Sequence, residues 1–142
     1  MNKAKEYLNQ IRELDAKIQQ RQDEVEKLRA FVMSQSAKLD ANRVRTDSPD
    51  QDPLAAKIAK YVDMEKEVDA MIDELIELKH TIIGQIQQLT GAKYIEVLWA
   101  RYVDLESFDQ IADSMGYSLQ HVFTLHGRAL QMFGEKFEIL ER

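Results

Sequence analysis

A seven-residue apolar repeat constrains this chain more than any other feature. Ile11, Ile18, Val25, Val32 and Leu39 recur at that spacing, with Leu14 and Leu28 at the second apolar position of the repeat. Apolar side chains about 3.5 residues apart stay on the seam between two helices that wind around each other. Residues 3 to 40 therefore predict a coiled-coil arm, interrupted at the seam by Arg21 and Gln35. The pattern returns in Leu54, Tyr61, Val68, Leu75, Ile82 and Leu89, with Ile58, Ile72 and Ile86 between them and Glu65 and Lys79 as polar breaks. At ~1.5 Å per residue each arm is roughly 55 Å long.

Between the arms stands "DANRVRTDSPDQDP", residues 40–53, whose two prolines and cluster of Asp, Asn, Ser and Thr make it a connector. Asp52 suits the N-cap of the second helix and Pro53 its first turn, where no backbone donor is missed. Arms of matched length around one connector predict an antiparallel coiled-coil hairpin over residues 1–90. Folding it about the connector sets Arg21 near Ile72 and Glu65 near Leu28, so the polar breaks do not meet. Val62, Met64, Met71, Ile76, Leu78 and Ile83 also widen the second arm's apolar face beyond its seam. An apolar face of that width points to a second chain, and a homodimer through the arms is expected.

Composition narrows the function classes. Five glycines and two prolines in 142 residues, with 31% charged residues, favour an all-α chain. The net charge of −6 argues against a basic coat for nucleic acid and against binding to an anionic membrane. Cysteine is absent, which removes disulfides and thiolate metal sites. No apolar run reads as a signal peptide or a membrane span, so a cytoplasmic location is expected. The three histidines, His80, His121 and His126, form no metal-ligand pattern, since His121 and His126 are five apart and off a shared helix face. The carboxylates fall mostly on the solvent sides of helices, and no glycine loop is built to cradle phosphate. Neither an enzyme, nor a cofactor, nor a small-molecule substrate is expected. Arg43 and Arg45 in the connector read as solvated residues rather than phosphate contacts.

Residues 91–142 read as a separate trihelical domain. Tyr94, Ile95, Val97, Leu98, Trp99 and Tyr102 are spaced to bury one helix, which "DLES" ends. Ser107 and Gln110 form a capping-box pattern for a short helix presenting Phe108, Ile111, Ala112 and Met115. Gly116 supplies a positive-φ turn, Tyr117 plugs the angle, and Ser118 caps a last helix carrying Val122, Leu125, Ala129, Leu130 and Phe133. Ala112 is small where the two helices cross. This arrangement is a helix-turn-helix, which leaves the front of its last helix free to enter a major groove.

The stretch "YIEVLWARYVDLESFDQIADSMGYSLQHVFTLHGRALQMF" resembles the promoter-reading region 4 of bacterial sigma factors. It is most similar to phage and prophage proteins with sigma-like C-termini, related to late-gene transcription regulators of Gram-positive phages. The likeness is carried by Arg101 and Tyr102, by Ile111, Ala112, Gly116, Tyr117 and Ser118 at the turn, and by Ala129 and Leu130 at the end. It implies a transcription regulator that binds double-stranded DNA, with RNA polymerase as a co-binder, through Ser118, Leu119, Gln120, His121, Phe123, Thr124 and Arg128. Gln120 suits an adenine edge, Ser118 and Thr124 a phosphate or base, Leu119 a thymine methyl and Arg128 a phosphate.

The sequence departs from the pattern in charge. Leu119 and Phe123 stand where region 4 carries basic residues, and only Arg128 is firmly cationic. His121 and His126 would add charge below pH ~6.5. Residues 92–142 hold five Lys or Arg against eight Asp or Glu, a net of −3. Weak affinity for bare DNA is therefore expected. The alternative is a non-enzymatic adaptor that uses Leu119, Phe123 and the coiled coil to hold another protein.

Overall fold

The computed structural model describes residues 2–42 and 52–139, without the side chains of residues 39–42; most of the connector, with Arg43 and Arg45, lies outside the described residues. The protein is all-α: α1 (Lys3–Leu8), α2 (Gln10–Asn42), α3 (Pro53–Ile86), α4 (Ala92–Leu98), α5 (Phe108–Met115) and α6 (Leu119–Lys136). No strand occurs among the described residues, and no helix is long and apolar enough to cross a membrane. Two compact units divide the chain: Met1–Asp15 with Leu75–Arg142, and Ala16–Glu74.

In the Ala16–Glu74 unit the parts of α2 and α3 pack in antiparallel order. Lys57 Nζ sits 4.0 Å from the centre of the Phe31 ring, and Leu28 lines a shallow groove with Met64. Nearer the other end, Val25 shares a groove with Val68 and Ile72. Ile18, Val32 and Val68 are buried along this seam. The polar breaks escape it sideways. Arg21 is exposed and pairs with Glu24 at 3.3 Å, while Glu65 is exposed and accepts a hydrogen bond from Tyr61. Asp52 caps α3 as its position predicts, accepting from Leu54 N at 2.9 Å.

The other unit is built around α6, which packs against α1, α4 and α5. Its centre is Leu8, Ile11, Ile82, Leu98, Ile111 and Phe133, none of them measurably exposed. The N-terminal helix is thus part of this core. The predicted single first helix is interrupted at Asn9, but its turns carry on: Asn9 N donates to Lys5 O and Glu13 N to Asn9 O. Tyr7 fastens the segment by donating to Gln85 Oε1 at 2.6 Å.

The second arm ends at Ile86, and Gly91, five residues on, is the N-cap of α4. Its φ of 111° is open to glycine, and a Cβ there would lie 2.7 Å from the Tyr94 ring. The helix that begins after it does not stay regular. Trp99–Val103 form one wide π turn, in which Asp104 N donates to Trp99 O at 3.0 Å. That turn carries Arg101 and Tyr102, and Leu105 at φ 58° closes it.

Candidate functional site

Two side-chain caps and one glycine set the angle between α5 and α6. Ser107 Oγ accepts from Gln110 N at 3.2 Å while Gln110 Oε1 accepts from Ser107 N at 2.8 Å, the reciprocal pair that fixes the start of α5. Gly116, at φ 69°, turns the chain, and Ser118 Oγ then accepts from His121 N at 3.1 Å to start α6. Ile111 and Ala112 on α5 and Val122 on α6 are buried between the helices.

All seven residues singled out from the sequence, Ser118, Leu119, Gln120, His121, Phe123, Thr124 and Arg128, are exposed. They do not form one patch. Ser118 is the N-cap of α6, and helical spacing sorts the other six into three stripes. Gln120, Thr124, Gly127 and Gln131 follow one another at intervals of four, three and four, and all are exposed. This stripe is the outward ridge, and it offers amide and hydroxyl groups. Leu119 and Phe123 lie along the edge towards α5, where the Phe123 ring meets the edge of Phe108 at 5.1 Å. They remain 38% and 48% exposed, so the apolar edge is only partly covered. His121 and Arg128, seven residues apart, define the opposite edge. His121 packs edge-on against Tyr117 at 4.5 Å, and Lys93 Nζ lies 5.0 Å from the centre of that Tyr117 ring.

Gly127 was expected to face outward on α6 but was given no contact role, and it is exposed. A helix interior disfavours glycine by about 1 kcal/mol relative to alanine. Nothing lies within 4 Å of the Cβ it lacks, so packing inside the chain does not demand it. The α6 surface is therefore open at Gly127, between Thr124 and Gln131.

His126 corrects the expectation of charge at this surface. It is 8% exposed and turned into the core, where its Nε2 and the Tyr102 hydroxyl share a hydrogen bond of 2.6 Å. The Phe108 ring closes over it at 4.9 Å. Burial, then the charges of Lys5 and Arg101, push its pKa down to about 4. It is neutral at any physiological pH and adds nothing to the outer face. Burial likewise raises Tyr102, against the pull of Arg101 and Arg12.

Arg101 stands beside this pair. Its guanidinium lies over the Phe108 ring at 4.2 Å and donates through Nη1 to Glu106 O at 3.0 Å. Arg12, from α2, donates through Nη2 to Arg101 O at 3.3 Å. No sequence signal tied Arg12 to this place, because 89 residues separate the partners. Among the described residues no three His, Asp or Glu side chains gather to hold a metal ion. No family model, curated protein or solved structure matches the chain.

Proposed function

We propose that this chain is a phage or prophage transcription regulator that reads double-stranded DNA with α6, in the manner of a sigma-factor region 4. The observation that carries this reading is the exposed ridge of Gln120, Thr124, Gly127 and Gln131 on a helix whose entry is held by two caps and a left-handed glycine. Gln120 can present its amide to an adenine edge, Thr124 can reach a base or phosphate, and Gly127 admits close approach. Arg128 and Lys93 stand to either end of the polar edge as phosphate contacts, which set register rather than sequence.

Exposed Asp109 and Asp113 on α5 oppose the backbone charge, so affinity for bare DNA is low and RNA polymerase supplies the remainder. Two copies joined through the helical arms would present two such ridges. Phe31, Met33, Ile58, Val62 and Ile76 are the large apolar residues exposed on the arms among the described residues. The protein works without a cofactor and performs no chemistry of its own.

The partial exposure of Leu119 and Phe123 favours a second reading, in which the apolar edge of α6 holds another protein. Selection of host and prophage genome fragments at low salt, with and without RNA polymerase, decides between them. One enriched promoter-like site supports DNA reading, and dependence on polymerase supports the sigma-like mode. No enrichment in either condition transfers the function to the Leu119–Phe123 edge.

A further inference from the structure

We propose that the groove beside Trp99 docks a basic segment of another protein, which lays an Arg or Lys side chain along the indole. The groove has a volume of about 410 Å³ and is formed by α4, the π turn, the loop after it and α5. Ile95, Trp99 and Ala100, all half-buried, supply its apolar lining. Glu96, Asp104 and Glu106 supply its charge, and no lysine, arginine or histidine lines it. The cations nearest in sequence are engaged elsewhere. Arg101 lies over the Phe108 ring at 4.2 Å, and Lys93 Nζ lies 5.0 Å from the centre of the Tyr117 ring.

The backbone holds this arrangement in place. Asp104 N donates to Trp99 O at 3.0 Å and Glu106 N to Ala100 O at 2.9 Å, so the acidic loop is folded back onto the two residues that line the groove. Leu105, between the two loop carboxylates, adopts φ 58°, which side chains other than glycine rarely accept. Wide π turns and strained residues recur where a ligand is held. Here both serve to set a half-buried tryptophan beside three carboxylates before any partner arrives, which lowers the ordering cost of binding.

The lining specifies the occupant. An indole face attracts a cation more strongly than any other aromatic side chain does, and the carboxylates add charge-assisted hydrogen bonds. Among the described residues no three acidic or histidine side chains are placed to hold a metal ion, so the cation must come on an organic stem. The methylenes of Arg or Lys provide that stem and can pack on Ile95 and Ala100. The three carboxylates repel nucleic acid and anionic lipid, which leaves a basic protein segment. No residue of α6 lines the groove, so the site is independent of whether α6 reads DNA.

The test titrates the full chain, without DNA, with the peptide acetyl-Leu-Arg-Leu-Arg-Leu-amide and follows the emission of Trp99, the only tryptophan. The same peptide with Glu in place of Arg is the control. At physiological salt, charges farther apart than about 8 Å are screened, so the reading reports on the groove itself. The basic peptide should change the emission saturably, and the acidic one should not. Glu96→Gln combined with Asp104→Asn should weaken binding about fivefold, since exposed charge pairs are individually weak. Glu77→Gln combined with Glu135→Gln removes the same charge from exposed positions outside the groove and should leave the affinity unchanged. Trp99→Leu, followed by calorimetry, should weaken binding by a similar factor. Affinity lost with the groove pair and kept with the outer pair supports the site. Equal weakening by both pairs means attraction to a generally acidic surface and overturns it. Equal binding of the acidic peptide, or no saturable change up to about 1 mM, overturns it as well.

Discussion

The neutral His126 makes a quantitative prediction about acid stability. Its folded pKa of about 4 lies below the ordinary 6.5 that it regains on unfolding. Above pH ~6.5 the imidazole is neutral in both states and has no effect on the balance. As pH falls, the unfolded chain takes up the proton first, so stability is lost from about pH 6.5 downward and the loss levels off below about pH 4. The whole interval is worth roughly 3 kcal/mol at ~1.4 kcal/mol per pH unit. Relative to pH 7.5, linkage gives a loss of about 1.4 kcal/mol at pH 5.5 and about 2.6 kcal/mol at pH 4.5. Other groups titrate over the same range, and His126→Gln separates them: it retains an amide for the Tyr102 hydroxyl but cannot ionise. Urea unfolding at the three pH values, followed by Trp99, the only tryptophan, reports on the unit that contains His126. The wild type should lose stability faster than the variant by the amounts above. Parallel pH profiles between 7.5 and 4.5 would refute the assignment of a buried, neutral histidine.

Gly127→Ala separates stability from function. It should raise stability by up to about 1 kcal/mol in the same urea assay, since nothing blocks the added methyl, while weakening binding to the selected DNA. Gly116→Ala meets equally open space but must adopt φ 69°, so it should destabilise by about 1–2 kcal/mol. If both substitutions shift stability the same way, backbone conformation is not what distinguishes these glycines. Phe123→Arg should tighten DNA binding and steepen its salt dependence if α6 lies in a groove, or abolish association if the apolar edge holds a protein; fluorescence anisotropy against salt reads both.

Much of the cap and turn geometry around α5 and α6 was legible because its determinants are local. Ser107 with Gln110, Gly116, and Ser118 each act within four residues, so their spacing alone specifies a cap or a turn. The exposure of the six residues within α6 was legible for the same reason, as helical periodicity assigns each to a stripe. The division of that surface was not. Whether Phe123 stands alone or leans on Phe108 depends on how α5 crosses α6, and periodicity within one helix is silent about the other. The π turn at Trp99–Val103 was equally hidden, because it serves to place Tyr102 in a core whose other members are distant in sequence.

The sequence by itself determined the helical class, the caps that start α3, α5 and α6, and which side of α6 faces out, all through interactions between residues a few positions apart. Tertiary structure alone decided that His126 is buried and neutral against Tyr102, that α1 belongs to the core beneath α6, and that Arg12 donates to the Arg101 carbonyl. Those facts depend on contacts across 24 and 89 residues of chain. Charge and hydration at a site are set by whatever the fold packs around it, and linear spacing carries no record of such neighbours.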